Sequence, residues 1–129
     1  MKGIYILVIS VNRNIGVNIG ALGTVSFDKG LYVYVGSAQN NLEKRIARHH
    51  RKVKKRFWHI DHLLSNRFAE VVTESYMETD KSAECRIARR LSQKGIAVKH
   101  FGCSDCNCIS HLFKVEDFGS LSDFISELD

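Results

Sequence analysis

The chain contains no proline and no low-complexity stretch, so no segment reads as a disordered linker. No apolar run approaches the length needed to span a bilayer. The apolar opening, Gly3 to Val11 behind Lys2, lacks a small-residue cleavage site, and Asn12, Arg13 and Asn14 interrupt it, which argues against a secretory leader. Cysteine is scarce, and of Cys85, Cys103, Cys106 and Cys108 the last three crowd together. Such spacing is poor for a disulfide framework and better for metal or thiol chemistry. These absences predict a soluble, cytoplasmic protein with no membrane contact.

What is present fits one domain. The 129 residues carry 44% hydrophobic side chains, enough for an ordinary core in a single unit over 1–129. The formal net charge of +5 is unevenly placed. Lys44, Arg45, Arg48, Arg51, Lys52, Lys54, Lys55 and Arg56 follow Glu43 with no further acid among them. The tail has five acids, Glu116, Asp117, Asp123, Glu127 and Asp129, and no Lys or Arg. A local block of positive charge is a footprint for phosphates. It is equally the signature of a solvated helix face.

Residues 3–11 are β-branched and aromatic on both faces, which predicts a central strand. Residues 12–18 read as a turn, 19–27 as a glycine-bearing strand, and 31–35 as a third strand. In that third strand Tyr32 and Tyr34 share one face, and Leu31, Val33 and Val35 the other. Leu42, Ile46, His49 and Val53 recur at helical spacing, predicting a helix over about 41–53. Further helices are expected over 57–65, from an Asp80 cap to Leu91, and over 120–128, with strands at 68–76 and 111–115 and a loop at 101–108. The expected fold class is α+β: a small, three-stranded, mostly antiparallel sheet flanked by helices, with a Cys-rich C-terminal extension. The core would occupy about 3–91, and the Cys-rich loop and last helix about 100–129.

Three groups could carry chemistry. Tyr5 and Tyr34, on neighbouring strands, can face one pocket, and a nearby cation lowers a phenol's pKa and fits it to position or deprotonate water. Tyrosines also pack well in strands for purely structural reasons. Arg45 and His49 share a helix face at the edge of the apolar stripe, where an arginine can fork onto a phosphate or pair with an acid. Arg48, Lys52 and Lys55 read as solvated. Glu84 falls in the first turn of its helix, which favours a carboxylate, yet it lines up with Ile87, Ala88 and Leu91. A carboxylate aimed at the core side needs a partner, and Arg45 or a divalent metal would serve.

Gly3-Ile4-Tyr5, then Tyr34-Val35-Gly36, then Arg45 eleven residues beyond that tyrosine, then Glu84 on a later helix, resembles the GIY-YIG endonuclease superfamily. The strings GLYVYVGSA, RIARHH, FWHIDHLL, AECRIA and FGCSDCNCISHLF resemble a small branch of it, sometimes fused to an endonuclease III-like repair protein. The resemblance implies a three-stranded antiparallel sheet and hydrolysis of a phosphodiester with one Mg²⁺ or Mn²⁺. It implies that Tyr34 and Tyr5 act on the attacking water, that Arg45 neutralises the scissile phosphate, that His49 sits close to that phosphate, and that Glu84 holds the metal. Ser37 stands where the repair-nuclease relatives often have lysine.

Two further clusters remain. Trp58-His59-Ile60-Asp61-His62 puts His59 and His62 three apart on a helix, as an acid–base or metal group or as braces around a core Trp58. Cys103, Cys106, Cys108 and His111 have the ligand types of a zinc site, with Cys85 beside Glu84; the same residues could pack as a tight loop or act as redox thiols. The expected function is therefore a metal-dependent DNA endonuclease in repair or processing, with Arg48, Arg51, Lys52, Lys54, Lys55 and Arg56 holding the nucleic acid. A non-catalytic nucleic-acid-binding module working with a repair protein, RNA in place of DNA, and a zinc- or thiol-centred interaction domain stand beside it.

Overall fold

The structure, a computed structural model, describes residues 2–52, 54–56, 58–103, 107–117, 119 and 122. Val53, Phe57, Cys106 and the helix expected over 120–128 lie outside the described residues, Ser122 and nothing else of that helix excepted.

In chain order the elements are β1 (Gly3–Val11), β2 (Ile15–Asn18), β3 (Thr24–Phe27), β4 (Gly30–Ala38), α1 (Leu42–His49), α2 (His59–Leu64), β5 (Ala69–Met77), α3 (Ser82–Leu91), β6 (Ile96–Ala97) and β7 (Leu112–Val115). Five strands form one antiparallel sheet in the order β5-β1-β4-β7-β6, while β2 and β3 pair apart from it as a hairpin. The class is α+β as expected. The sheet is larger than the three strands expected, because β5 and β7 extend it on either side of β1 and β4.

The glycine-bearing strand over 19–27 is a correction. Gly20 and Gly23 take φ of +51° and +75°, so the chain turns through a short 3-10 helix there. β2 occupies part of the expected turn, and β3 begins only at Thr24. The Cys-rich segment is no appendage either. It leads into β7, which pairs with β4 at Tyr34↔Leu112.

β1 is central and buried on both faces, as its composition demands. Tyr5, Leu7, Ile9 and Val11 join Tyr32 and Tyr34 in one core, with Leu42 and Ile46 of α1 and Ile60, Leu63 and Leu64 of α2. Ile4, Ile6, Val8, Val33 and Val35 meet Ala83, Ile87, Ala88 and Leu91 of α3 in the other. The sheet is thus a middle layer, with α1, α2 and the hairpin on one side and α3 on the other. An eight-residue helix like α1 is marginal alone in water, so burial of Leu42 and Ile46, each worth roughly 1.5–3 kcal/mol, is what holds it.

α1 stops at His49, short of the expected end. The basic residues that follow are drawn away from a helical path. Lys52 Nζ donates to the carbonyls of Leu64 (3.1 Å), Asn66 (3.0 Å) and Ala69, and Lys54 Nζ to the carbonyl of Arg48 (3.1 Å). No helix among the described residues is long and apolar enough to cross a membrane.

Candidate active site

A cleft of about 490 Å³ opens at the end of the sheet where Tyr5 and Gly36 pair. Tyr5 and Tyr34 come to it from β1 and β4, Arg45 from α1, and Glu84 from the first turn of α3. Four separated stretches of sequence therefore meet in one space. Trp58, His59, His62, Lys81 and His111 complete much of its wall, with Gly20 and Ala21 of the hairpin turn, Gly20 beside His62.

Local geometry fixes each of these groups. The Tyr5 and Tyr34 rings lie 6.3 Å apart, and Tyr34 packs edge-on against Phe101 at 6.2 Å. Gly36 leaves room for the Tyr5 ring, since a Cβ there would overlap its Cζ and hydroxyl. Arg45 Nη1 donates to the Ser37 carbonyl at 2.7 Å, and its guanidinium lies 4.5 Å over the Trp58 ring. Arg48 also lies over that ring, at 4.6 Å. The two contacts aim Arg45 along the cleft wall and cost it none of its charge.

Burial pushes the Tyr5 hydroxyl's pKa well up, and the favourable field of Arg45 does not offset it. Burial, with Tyr5 and Glu84 adding to it, pushes Tyr34 up as well. Both are therefore phenols, neither a ready-made phenolate. The expectation that a nearby cation would lower them fails because desolvation outweighs it.

His49 is buried and meets Tyr5 rather than the cleft: its Nε2 lies 2.7 Å from the Tyr5 hydroxyl. The resemblance puts it close to a bound phosphate; the structure places it behind Tyr5. Burial, with Lys54 next, lowers its pKa from 6.5 to about 3 and keeps the imidazole neutral.

The basic block divides in two. Arg48, which reads as solvated in the sequence, donates to both oxygens of Asp61 at 2.8 and 3.0 Å, and Lys54 stands 3.9 Å from the same carboxylate. Asp61 is wholly buried and also accepts the Trp58 N–H at 3.0 Å. Lys54 is almost wholly buried, which pulls its pKa down to about 8 while Asp61 opposes the fall. Lys52 is occupied with carbonyls. Arg51, Lys55 and Arg56 remain exposed. Trp58 is 38% exposed, so it is a platform for two arginines and not the core residue that its sequence context suggests. Asp61 does brace the site, in keeping with one reading of that segment.

His59 accepts the Gly102 N–H on Nδ1 at 2.8 Å. Burial, with His62 beside it, lowers the pKa of His59. A neutral ring with Nδ1 so engaged carries its proton on Nε2. Lys81 carries no signal in the sequence, and spacing groups His111 only with the cysteines. In the fold His111 Nδ1 lies 3.9 Å from Glu84 Oε2.

Glu84 is the one carboxylate lining the cleft among the described residues. A single carboxylate with open volume beside it suits a hard cation that draws its remaining ligands from water and phosphate oxygens. A second, softer donor set adjoins it. Cys85, Cys108 and His111 bring one ligand atom each within 4.8 Å of one another, a candidate metal-binding group. Cys103 is not among them; its thiol donates to the Phe101 carbonyl at 3.5 Å.

Fold and cleft together define an α+β protein with a polar site built at one end of an antiparallel sheet. The chain belongs to the family described as Domain of unknown function DUF123, whose model matches residues 4–128. None of the curated proteins and none of the solved structures compared with the chain matches it.

Proposed function

We propose that this chain is a GIY-YIG-type endonuclease that hydrolyses phosphodiester bonds in DNA with Mg²⁺ or Mn²⁺. The observation that carries the reading is the meeting of Tyr5, Tyr34, Arg45 and Glu84 in one cleft. Arg45, stacked on Trp58, forks onto the oxygens of the scissile phosphate. Lys81 adds a second cation to the wall, where Ser37 follows Gly36 in place of lysine. The protonated phenols of Tyr5 and Tyr34 hold and orient the attacking water through their hydroxyls. His59, with Nδ1 occupied, presents an Nε2–H donor toward the substrate. Glu84 would hold the divalent ion, which when bound supplies charge stabilisation at the phosphate. Arg51, Lys55 and Arg56 extend the positive surface along the nucleic-acid backbone.

A binding module that works beside a repair protein is the second reading. It is favoured by the raised pKa of both tyrosines, which leaves no resident base of the phenolate kind. One experiment separates the two. The protein is incubated with Mn²⁺ and labelled single-stranded, duplex and branched DNA, beside Glu84→Gln and Tyr34→Phe. Cleavage by the parent that disappears in both variants supports the nuclease; equal binding without cleavage in all three sinks it. Single-stranded and duplex RNA in the same panel test the choice of nucleic acid.

A further inference from the structure

We propose that Cys85, Cys108 and His111 form a zinc site that ties the start of α3 to the approach of β7. Cys108 and His111 are close neighbours in sequence, Cys85 lies on a separate element well before them, and the fold brings one donor atom of each within 4.8 Å of the others. Two sulfurs and one imidazole nitrogen are a soft set that selects Zn²⁺ over Mg²⁺ or Mn²⁺. Tetrahedral zinc, with bonds of about 2.3 Å to sulfur and 2.0 Å to nitrogen, sets its donors roughly 3.5–3.8 Å apart. No pair therefore needs to draw in by more than about 1.3 Å on binding, a distance that side-chain rotation covers.

Charge favours the same metal. Two thiolates cancel the double charge of the ion, so a half-buried site keeps no net charge to desolvate. Arg89 lines a second cleft, of about 360 Å³, together with Cys85 and Cys108. A cation there favours the thiolate forms, and the cleft gives the metal a way in.

The supporting backbone is fixed. Cys85 stands within α3. His111 donates its N–H to the Phe101 carbonyl at 2.9 Å and accepts the Val35 N–H at 3.0 Å. The Ile109 carbonyl, next to Cys108, accepts the His100 N–H at 2.8 Å. Ligands carried on bonded backbone need little ordering when the ion arrives.

The site has a place in the cleft's architecture. Cys85 follows Glu84 directly, and His111 lines the cleft with its Nδ1 3.9 Å from Glu84. Zinc held by these residues would lock together the two segments that present the Glu84 carboxylate. It differs from the group that the sequence offers, because Cys85 takes part and Cys103 does not.

The test uses the full chain, purified reduced and without chelator. Metal analysis should find about one equivalent of zinc, and Co²⁺ added to the stripped protein should give a thiolate-to-cobalt charge-transfer band. That band should fall by about half in Cys85→Ser and in Cys108→Ser, since each removes one of two thiolates, and stay at full strength in Cys103→Ser. No zinc and no thiolate band in the reduced parent protein would overturn the proposal, with no variant needing to fold. So would a band that vanishes in Cys103→Ser and persists in Cys85→Ser. Neither readout depends on DNA cleavage, so failure here and failure of the nuclease reading are told apart.

Discussion

The hydroxyl of Tyr5 and Nε2 of His49 lie 2.7 Å apart beneath the cleft, with both side chains about 2% exposed. Nδ1 of the same imidazole has no hydrogen-bond partner among the described residues. A neutral ring tolerates that; a charged one would bury an unpaired donor and a charge together.

Stability should therefore fall in mild acid. His49 titrates at about 3 in the folded chain, against 6.5 for an ordinary histidine. Below pH 6.5 the unfolded chain takes up a proton that the folded chain refuses, so the unfolded state gains. The loss should run at about 1.4 kcal/mol per pH unit, beginning below the unfolded pKa and ending only near the folded one. Urea unfolding at about pH 7 and about pH 5.5 measures the slope, and His49→Gln should remove most of it. An equal slope in parent and variant would assign the acid sensitivity to other groups.

Asp61 should be among the residues least tolerant of change. It is wholly buried and holds Arg48 bidentately, Lys54 at 3.9 Å and the Trp58 N–H. Asp61→Asn keeps the shape and strands two cations, one of them almost wholly buried. Removing one partner of such a buried pair costs about 3–5 kcal/mol. Chemical denaturation at neutral pH would show it; a loss below about 1 kcal/mol would mean that water screens the cluster as it does a surface pair.

The sequence exposes some of these relationships and hides others, for physical reasons. β1 and β4 are legible because strand alternation sorts Tyr32 and Tyr34 from Val33 and Val35 whatever surrounds them. Leu42, Ile46 and His49 are legible as the buried face of α1 because helical spacing puts them on one side. The roles of the cations are not. Lysine and arginine look alike whether solvated or committed, and only the fold shows that Arg48 and Lys54 answer to Asp61 while Arg51, Lys55 and Arg56 face solvent. β7 and Cys85 escape notice as partners because their pairings join segments far apart in the chain. Local spacing carries no record of such pairings.

That division predicts two kinds of arginine. Neutralising Arg51, Lys55 and Arg56 together should leave stability within about 0.5 kcal/mol of the parent. It should also lower the slope of log affinity for duplex DNA against log salt by about 2–3, near 0.9 for each phosphate no longer neutralised. Arg48→Ala should instead destabilise the fold, because it leaves the Asp61 carboxylate buried beside a weaker partner. Fluorescence anisotropy over a salt series, beside urea titration, reads both. A change of slope confined to Arg48→Ala would reverse the assignment.

Arg45→Lys separates charge from shape. Lysine keeps the positive charge but loses the fork and the flat face that lies over Trp58. If Arg45 stabilises charge that develops on the phosphate, cleavage should fall by about 10²–10³-fold. DNA affinity should change by less than about tenfold. Single-turnover cleavage and anisotropy under one buffer give the two numbers. Comparable losses in both would make Arg45 a general binding cation.

Gly36→Ala tests why the second motif ends in glycine. The residue sits opposite Tyr5 across β1 and β4, and an added Cβ would meet the Tyr5 ring at Cζ and the hydroxyl. Backbone strain is no part of the argument, since Gly36 is not among the positive-φ glycines. The methyl must displace the ring, and overpacking of this kind costs about 1–3 kcal/mol. The displaced hydroxyl would move away from His49 Nε2, so the acid slope described above should also change. On the nuclease reading cleavage falls with it, while DNA binding, which rests on cations elsewhere, persists. Full activity in Gly36→Ala would mean that Tyr5 can leave its position at no cost to the chemistry, and would remove it from the site.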